Sequence, residues 1–115
     1  MKNEKAQKLY AGIIADLEKG EVNVEKITKA IDQLREIARE IEDPLVLKTL
    51  RFIKEKLAND PSFEIEIEVD EEEEEEYEAP ENHLLYLFQL LTESDNKYNR
   101  EEIKQYRAAL QLDLY

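Results

Sequence analysis

Carboxylates are the only side chains in this sequence that are numerous and closely spaced enough to suggest chemistry. Of the 29 aspartates and glutamates, twelve lie between Glu64 and Glu81, a stretch without lysine or arginine. Such a run could collect divalent cations, supply an acid–base pair, or attract a basic protein. The first two uses need carboxylates held at fixed positions, whereas the third needs only concentrated negative charge.

The motifs that fix catalytic or metal-binding groups are missing from the sequence. There is no cysteine and a single histidine, His83, so a zinc site would depend almost wholly on carboxylates. The stretch Asp95 to Glu102 lacks the glycine of a calcium-binding loop and has Lys97 at a ligand position. We therefore predict a protein that is not an enzyme, with no catalytic residue, no cofactor and no dedicated metal ligand.

The charge of the chain is concentrated in its acidic stretch. The net charge is −13, yet outside Glu64–Glu81 only 17 acidic residues face 16 basic ones. Phosphate groups would be repelled by this stretch, so we expect no direct binding of nucleic acid and no binding to a membrane. The longest apolar run, Leu84 to Leu91, is too short to span a bilayer, and the polar N-terminus suggests a cytoplasmic protein.

The acidic stretch has two halves with different patterns. From Phe63 to Val69 apolar and acidic residues alternate, which predicts a strand over residues 62–69 with one buried face. A strand must pair, and the only partner in the chain is Leu110 to Tyr115, which could equally be the end of a helix. Residues 70–80 are almost solid glutamate, and repulsion between neighbouring charges predicts an acidic linker there.

A basic protein is the partner that this stretch would attract. We predict a protein-interaction module whose partner-binding residues are Glu64, Glu66, Glu68, Asp70, Glu71, Glu72, Glu73, Glu74, Glu75, Glu76, Tyr77 and Glu78. One alternative is a structural homo-oligomer, such as a homodimer, in which the acidic linker is only solvated. A second alternative is a divalent-metal binder that uses carboxylates.

The elements that must position these residues are mainly helical. Apolar residues recur at steps of three and four through the first sixty residues, which predicts three helices. Asn23 and the Asp43–Pro44 pair are predicted to begin the second and third helices, and Gly20 to end the first. Asn99 is predicted to cap the last helix. The fold class predicted is a single mainly α domain of about five helices, in an orthogonal or up-down bundle, with one or two short edge strands.

The predicted helix after Pro80 is apolar on nearly every side. A helix of this composition is either the centre of a bundle or a contact between subunits. The residues predicted to mediate self-association are Leu84, Leu85, Leu87, Phe88 and Leu91. The homo-oligomer alternative depends on these residues and on the heptad-like seam from Val24 to Ile41.

Overall fold

A computed structural model describes residues 2–67 and 78–115 of the chain, and these two ranges contain five α-helices. They are α1 (Glu4–Glu18), α2 (Val24–Glu40), α3 (Pro44–Asn59), α4 (His83–Thr92) and α5 (Lys97–Leu114). The prediction of a mainly α fold with five helices is confirmed. No strand is present in these two ranges.

Every helix begins at an asparagine or aspartate whose side chain accepts a backbone hydrogen bond from the first turn. These N-caps are Asn3, Asn23, Asp43, Asn82 and Asn96. The side-chain oxygen of Asn23, for example, lies 3.1 Å from the amide nitrogen three residues later. Each cap satisfies a backbone N–H that a helix leaves unbonded. The two helix starts predicted at Asn23 and Asp43 are confirmed.

The prediction that Asn99 caps the last helix is wrong, because α5 begins three residues earlier. Asn96 accepts from the amides of Tyr98 at 2.9 Å and Asn99 at 3.2 Å. The side-chain amide of Asn99 instead donates to the carbonyls of Leu90 and Glu93, at 3.3 Å and 3.1 Å. Asn99 therefore closes the C-terminal end of α4. An asparagine can serve either helix end, and the sequence does not distinguish the two uses.

The first two helices end in the same left-handed turn. Gly20, after α1, has φ of +79°, and the amide of Glu21 reaches back to the carbonyl of Asp16 at 3.0 Å. After α2, Glu42 has φ of +55°, and the amide of Asp43 bonds the carbonyl of Ala38 at 2.9 Å. Both ends are Schellman motifs, and the prediction that Gly20 ends α1 is confirmed. Glu42 adopts this conformation with a side chain that disfavours it.

The helices enclose one hydrophobic core. In the main contacts α1 packs on α2 and α4, α2 on α3, α3 on α5, and α5 on α4, so the helices form a closed ring. Each helix contributes completely or almost completely buried apolar side chains, among them Tyr10, Ile31, Leu50, Phe88 and Leu110. The Cα radius of gyration is 13.6 Å. This is near the ~13 Å expected for a compactly folded chain of this length.

The predicted strand does not form over residues 62–67, and residues 68 and 69 lie outside the described residues. Phe63 has φ of +52°, a left-handed conformation that interrupts extended structure, and its amide bonds the carbonyl of Asp60 at 3.0 Å. Burial nevertheless alternates: Phe63 is buried, Ile65 and Ile67 are half-buried, and Glu64 and Glu66 are exposed. The alternating pattern correctly indicated an inner and an outer face but not a paired strand.

The proposed pairing partner of that strand is helical. Residues 110–114 form the last turns of α5, so of the two possibilities left open for this segment the structure has the helix end and not the second strand. Leu110 is fully buried, whereas Leu112 points outward. Strand pairing depends on a partner distant in sequence, and here both candidate segments pack by other means.

Candidate functional site

A groove runs between the segment after α3 and the outer face of α5. One wall consists of Glu64, Ile65 and Glu66, and the other consists of α5 residues. The volume of the groove is about 840 Å³, within the range of pockets that bind ligands in proteins. The residues that α5 contributes are Gln105, Ala108, Ala109, Leu112 and Asp113.

The α5 wall of the groove is apolar at Ala108, Ala109 and Leu112, and the opposite wall carries two acidic side chains. Leu112 is 73% exposed, and the small side chains of Ala108 and Ala109 leave the space beside it open. The exposed Glu64 and Glu66 form the rim on the opposite wall. A surface that combines exposed apolar groups with one sign of charge is typical of protein recognition.

Asp60 holds the acidic wall in place. Its carboxylate accepts hydrogen bonds from the amide and hydroxyl of Ser62 and, at 3.2 Å, from the amide of Glu64. The same carboxylate lies 3.2 Å from the ammonium of Lys56, which in turn lies 2.8 Å from Asp113 on α5. Lys56 is only 6% exposed. This bridge joins the two walls of the groove through a buried cation.

The charges of this bridge support one another. Hydrogen bonding from Ser62, together with the amides and Lys56, lowers the pKa of Asp60 to about 2. Desolvation alone would lower the pKa of Lys56, but the carboxylates of Asp113 and Asp60 raise it above its ordinary value. Asp60 and Lys56 are therefore both charged near neutral pH, and the ammonium of Lys56 also pairs with the carboxylate of Asp113. The negative rim of the groove is mainly that of Glu64 and Glu66.

Seven of the 16 lysines and arginines form ion pairs within the described residues, all with carboxylates other than Glu64 and Glu66. Lys26 pairs with Asp16 at 2.6 Å, and Lys54 pairs with Asp32 at 2.7 Å. Two more basic residues of α3, Lys48 and Arg51, lie over the ring of Phe52, and Arg51 also pairs with Glu55; Arg100 binds Asp43. Within residues 2–67 and 78–115, none of the ion pairs involves Glu64, Glu66 or Glu78.

The structure describes only part of the predicted partner-binding set. Glu64 and Glu66 come together on one wall of the groove, and Glu78 is exposed. Glu68, Asp70, Glu71 to Glu76 and Tyr77 lie outside the described residues. Sequence reasoning missed the α5 wall. The α5 wall could have been recognised from the spacing of Gln105, Ala108, Ala109 and Leu112, because this spacing places small and apolar residues on one face of a helix.

Four of the five residues predicted to mediate self-association lie in the core of the chain itself. Leu84, Leu87, Phe88 and Leu91 are at most 2% exposed, and Leu85 is half-buried. In the fold they cover α1 and α5 rather than a second subunit. The Val24–Ile41 seam is likewise turned inward except at its end, where Ile41 is 49% exposed.

His83 belongs to a cluster of polar aromatic side chains. Its Nδ1 atom lies 2.8 Å from the hydroxyl of Tyr106, and the two rings meet edge to face at 5.7 Å. The neighbouring Tyr86 donates a hydrogen bond to Glu102. Partial burial lowers the pKa of His83, so the imidazole is neutral at pH 7. These contacts fix the start of α4 against α5.

The described residues hold no cluster of three or more histidine, aspartate or glutamate side chains arranged to bind a metal ion. Nor does any helix of the two described ranges have the length and apolar character needed to cross a membrane. Comparison of the sequence with protein-family models and with curated proteins, and of the fold with solved structures, gave no match.

Proposed function

We propose that this protein is a non-enzymatic interaction module that binds a basic protein through the acidic segment beginning at Glu64. The observation that carries this proposal is the unpaired acidic wall of the groove. Glu64 and Glu66 are exposed, and no cation of the described residues pairs with them, although the chain has 16 lysines and arginines. Their charge is therefore available to an external partner.

The sequence after this wall adds further negative charge to that of Glu64 and Glu66. Nine acidic residues follow in the stretch from Glu68 to Glu78, and no lysine or arginine occurs between Glu68 and Lys97. A concentrated negative field raises the rate at which a positively charged protein arrives, and the effect weakens with salt. The helical body, which is nearly neutral, contributes little to this field.

Single ion pairs at this surface are too weak to hold a partner. An exposed pair contributes roughly 0.2–1 kcal/mol, so several pairs acting together, or additional apolar contacts, are needed for micromolar affinity. The acidic run can supply several ion pairs, and the apolar residues of the α5 wall can supply the additional contacts.

A capture experiment with charge-reversed variants tests the proposal. The immobilised chain is used to capture proteins from a cell extract, and the captured protein is then purified and its Kd measured directly. We expect a basic protein whose affinity falls steeply with salt and falls further with Glu64→Lys/Glu66→Lys. The matched control, Glu36→Lys/Glu40→Lys, changes the same charge on exposed positions of α2 and should retain more of the affinity.

Two results would contradict the proposal. The first is a partner bound equally well in about 1 M salt, where screening reduces the range of charge interactions to about 3 Å. The second is an equal loss of affinity in the two double variants, because net charge alone, rather than the acidic segment, would then explain binding.

A further inference from the structure

The groove has apolar side chains beside its acidic wall. Leu112 is 73% exposed, because it lies on the side of α5 opposite the buried Leu110 and the half-buried Leu114. Ile65, on the opposite wall, is also only partly covered. Together with Ala108 and Ala109, these two residues form an exposed apolar strip beside Glu64 and Glu66, and an apolar patch bordered by polar residues is typical of an interaction site.

The α5 wall has the pattern of a helix-packing face. Gln105, Ala108, Ala109 and Leu112 follow one another at steps of three, one and three, so all four lie on one side of α5. Small residues at the centre of such a face let a second helix approach closely, and Leu112 can then fill a gap between the side chains of that helix.

We propose that the groove binds an amphipathic helix of the partner protein, with leucine-like residues facing Leu112 and Ile65 and lysines or arginines facing Glu64 and Glu66. This inference rests on the proposed function and adds the shape and chemistry of the partner to it. The charge argues for a foreign helix rather than a second copy of this chain, because two copies, each with a net charge of −13, would repel one another.

The experiment uses synthetic peptides as probes with the full-length protein. One peptide has about 18 leucine and lysine residues in a helical amphipathic pattern, and a second has the same composition in scrambled order. Binding is measured by fluorescence anisotropy with labelled peptide. We expect the amphipathic peptide to bind roughly tenfold more tightly than the scrambled one, since burying a leucine-sized side chain accounts for a factor of that size.

Charge-matched variants locate the binding surface. Leu112→Asp should weaken binding of the amphipathic peptide roughly tenfold even though it adds a negative charge. Tyr98→Asp adds the same charge to an equally exposed position, 77% exposed, at the other end of α5 and should not weaken binding. Ala108→Trp fills the groove without changing charge and should also weaken it. Circular dichroism checks that each variant is folded.

The outcomes separate this inference from the proposed function. Equal binding of both peptides, or no loss in Leu112→Asp and Ala108→Trp, would overturn the groove assignment while leaving a purely electrostatic module. No binding of either peptide in low salt would overturn the groove assignment, and the capture experiment would then decide the proposed function alone. Concentration-dependent dimerisation that Leu112→Asp abolishes would assign the groove to a second copy and overturn the inference.

Discussion

The hydroxyl of Tyr10 is buried without a hydrogen-bond partner among the described residues. Tyr10 is fully buried on α1, where its ring packs against Phe88 with centroids 6.3 Å apart. Burial, reinforced by the negative charge of Asp43, raises the pKa of this phenol, so it stays neutral across the physiological range. The side chain thus supplies an aromatic ring to the core at the cost of an unsatisfied polar group.

Replacing Tyr10 with phenylalanine should stabilise the protein. A buried polar group without a partner costs about 1–3 kcal/mol, and Tyr10→Phe removes the group while keeping the ring. We expect the free energy of unfolding to rise by about 1 kcal/mol. For a chain of 115 residues the entropy of unfolding makes this a rise in Tm of about 4 °C.

The matched control makes the same change where the hydroxyl is bonded. Tyr106 is also buried, at 3% exposure, but its hydroxyl lies 2.8 Å from Nδ1 of His83. Tyr106→Phe should therefore lower the free energy of unfolding by about 1 kcal/mol. Both variants are measured by urea unfolding and by thermal melting at pH 7, monitored by circular dichroism.

We expect the free energy of unfolding to rise in Tyr10→Phe and to fall in Tyr106→Phe. If Tyr10→Phe lowered stability as much as Tyr106→Phe, the hydroxyl of Tyr10 would have to be hydrogen-bonded in solution, and the reasoning from its burial would be refuted. A change in the urea m-value would instead mean that the unfolded state had been altered.

Three further predictions concern the salt bridges and turns of the fold. Arg100→Met should cost about 2 kcal/mol in urea unfolding, because it removes both 3.1 Å hydrogen bonds to Asp43, whose side chain is only 12% exposed. The pKa of Asp60 is lowered on folding, so its contribution to stability is complete above its unfolded value of 3.8 and is lost as pH falls towards about 2. Asp60→Asn should therefore reduce the fall in Tm over that pH range. Gly20→Ala should destabilise and Glu42→Gly stabilise, each by about 1 kcal/mol or less, because both positions have positive φ.

Each of these predictions has its own control and its own contrary result. Lys26→Met breaks a pair in which 62% of the lysine side chain is exposed and should cost much less stability than Arg100→Met, so an equal loss in the two variants would contradict the argument from burial. An unchanged acid profile in Asp60→Asn would mean that the Ser62 and Lys56 contacts do not stabilise the carboxylate. Stabilisation by Gly20→Ala would show that the turn tolerates a side chain, since the space around Gly20 is open.

The number of helices and the fold class could be predicted because they depend on interactions between residues close in sequence. Asn23 and Asp43 cap helices because their side chains reach amides only three residues away, and Gly20 ends α1 because it adopts positive φ without strain. The apolar spacing of each helix likewise acts over one or two turns. Such features are readable from a few neighbouring residues, and they were sufficient for the number of helices and the fold class.

The features that failed or were missed depend on contacts between distant residues. The alternation from Phe63 to Ile67 predicted a strand, but a strand needs a partner, and Leu110 to Tyr115 extends α5 instead. Asn99 was assigned to the wrong helix end because two helices compete for it.

The candidate site itself was half visible in the sequence. The order of residues in the sequence alone determined that negative charge is concentrated after residue 63 and that the rest of the chain is nearly neutral. Only the tertiary structure decided that Leu112 is left uncovered, that Lys56 is buried between Asp60 and Asp113, and that Glu64 consequently faces α5. The reason is physical: charge is a property of each residue, whereas exposure and pairing depend on which distant segments the core brings together.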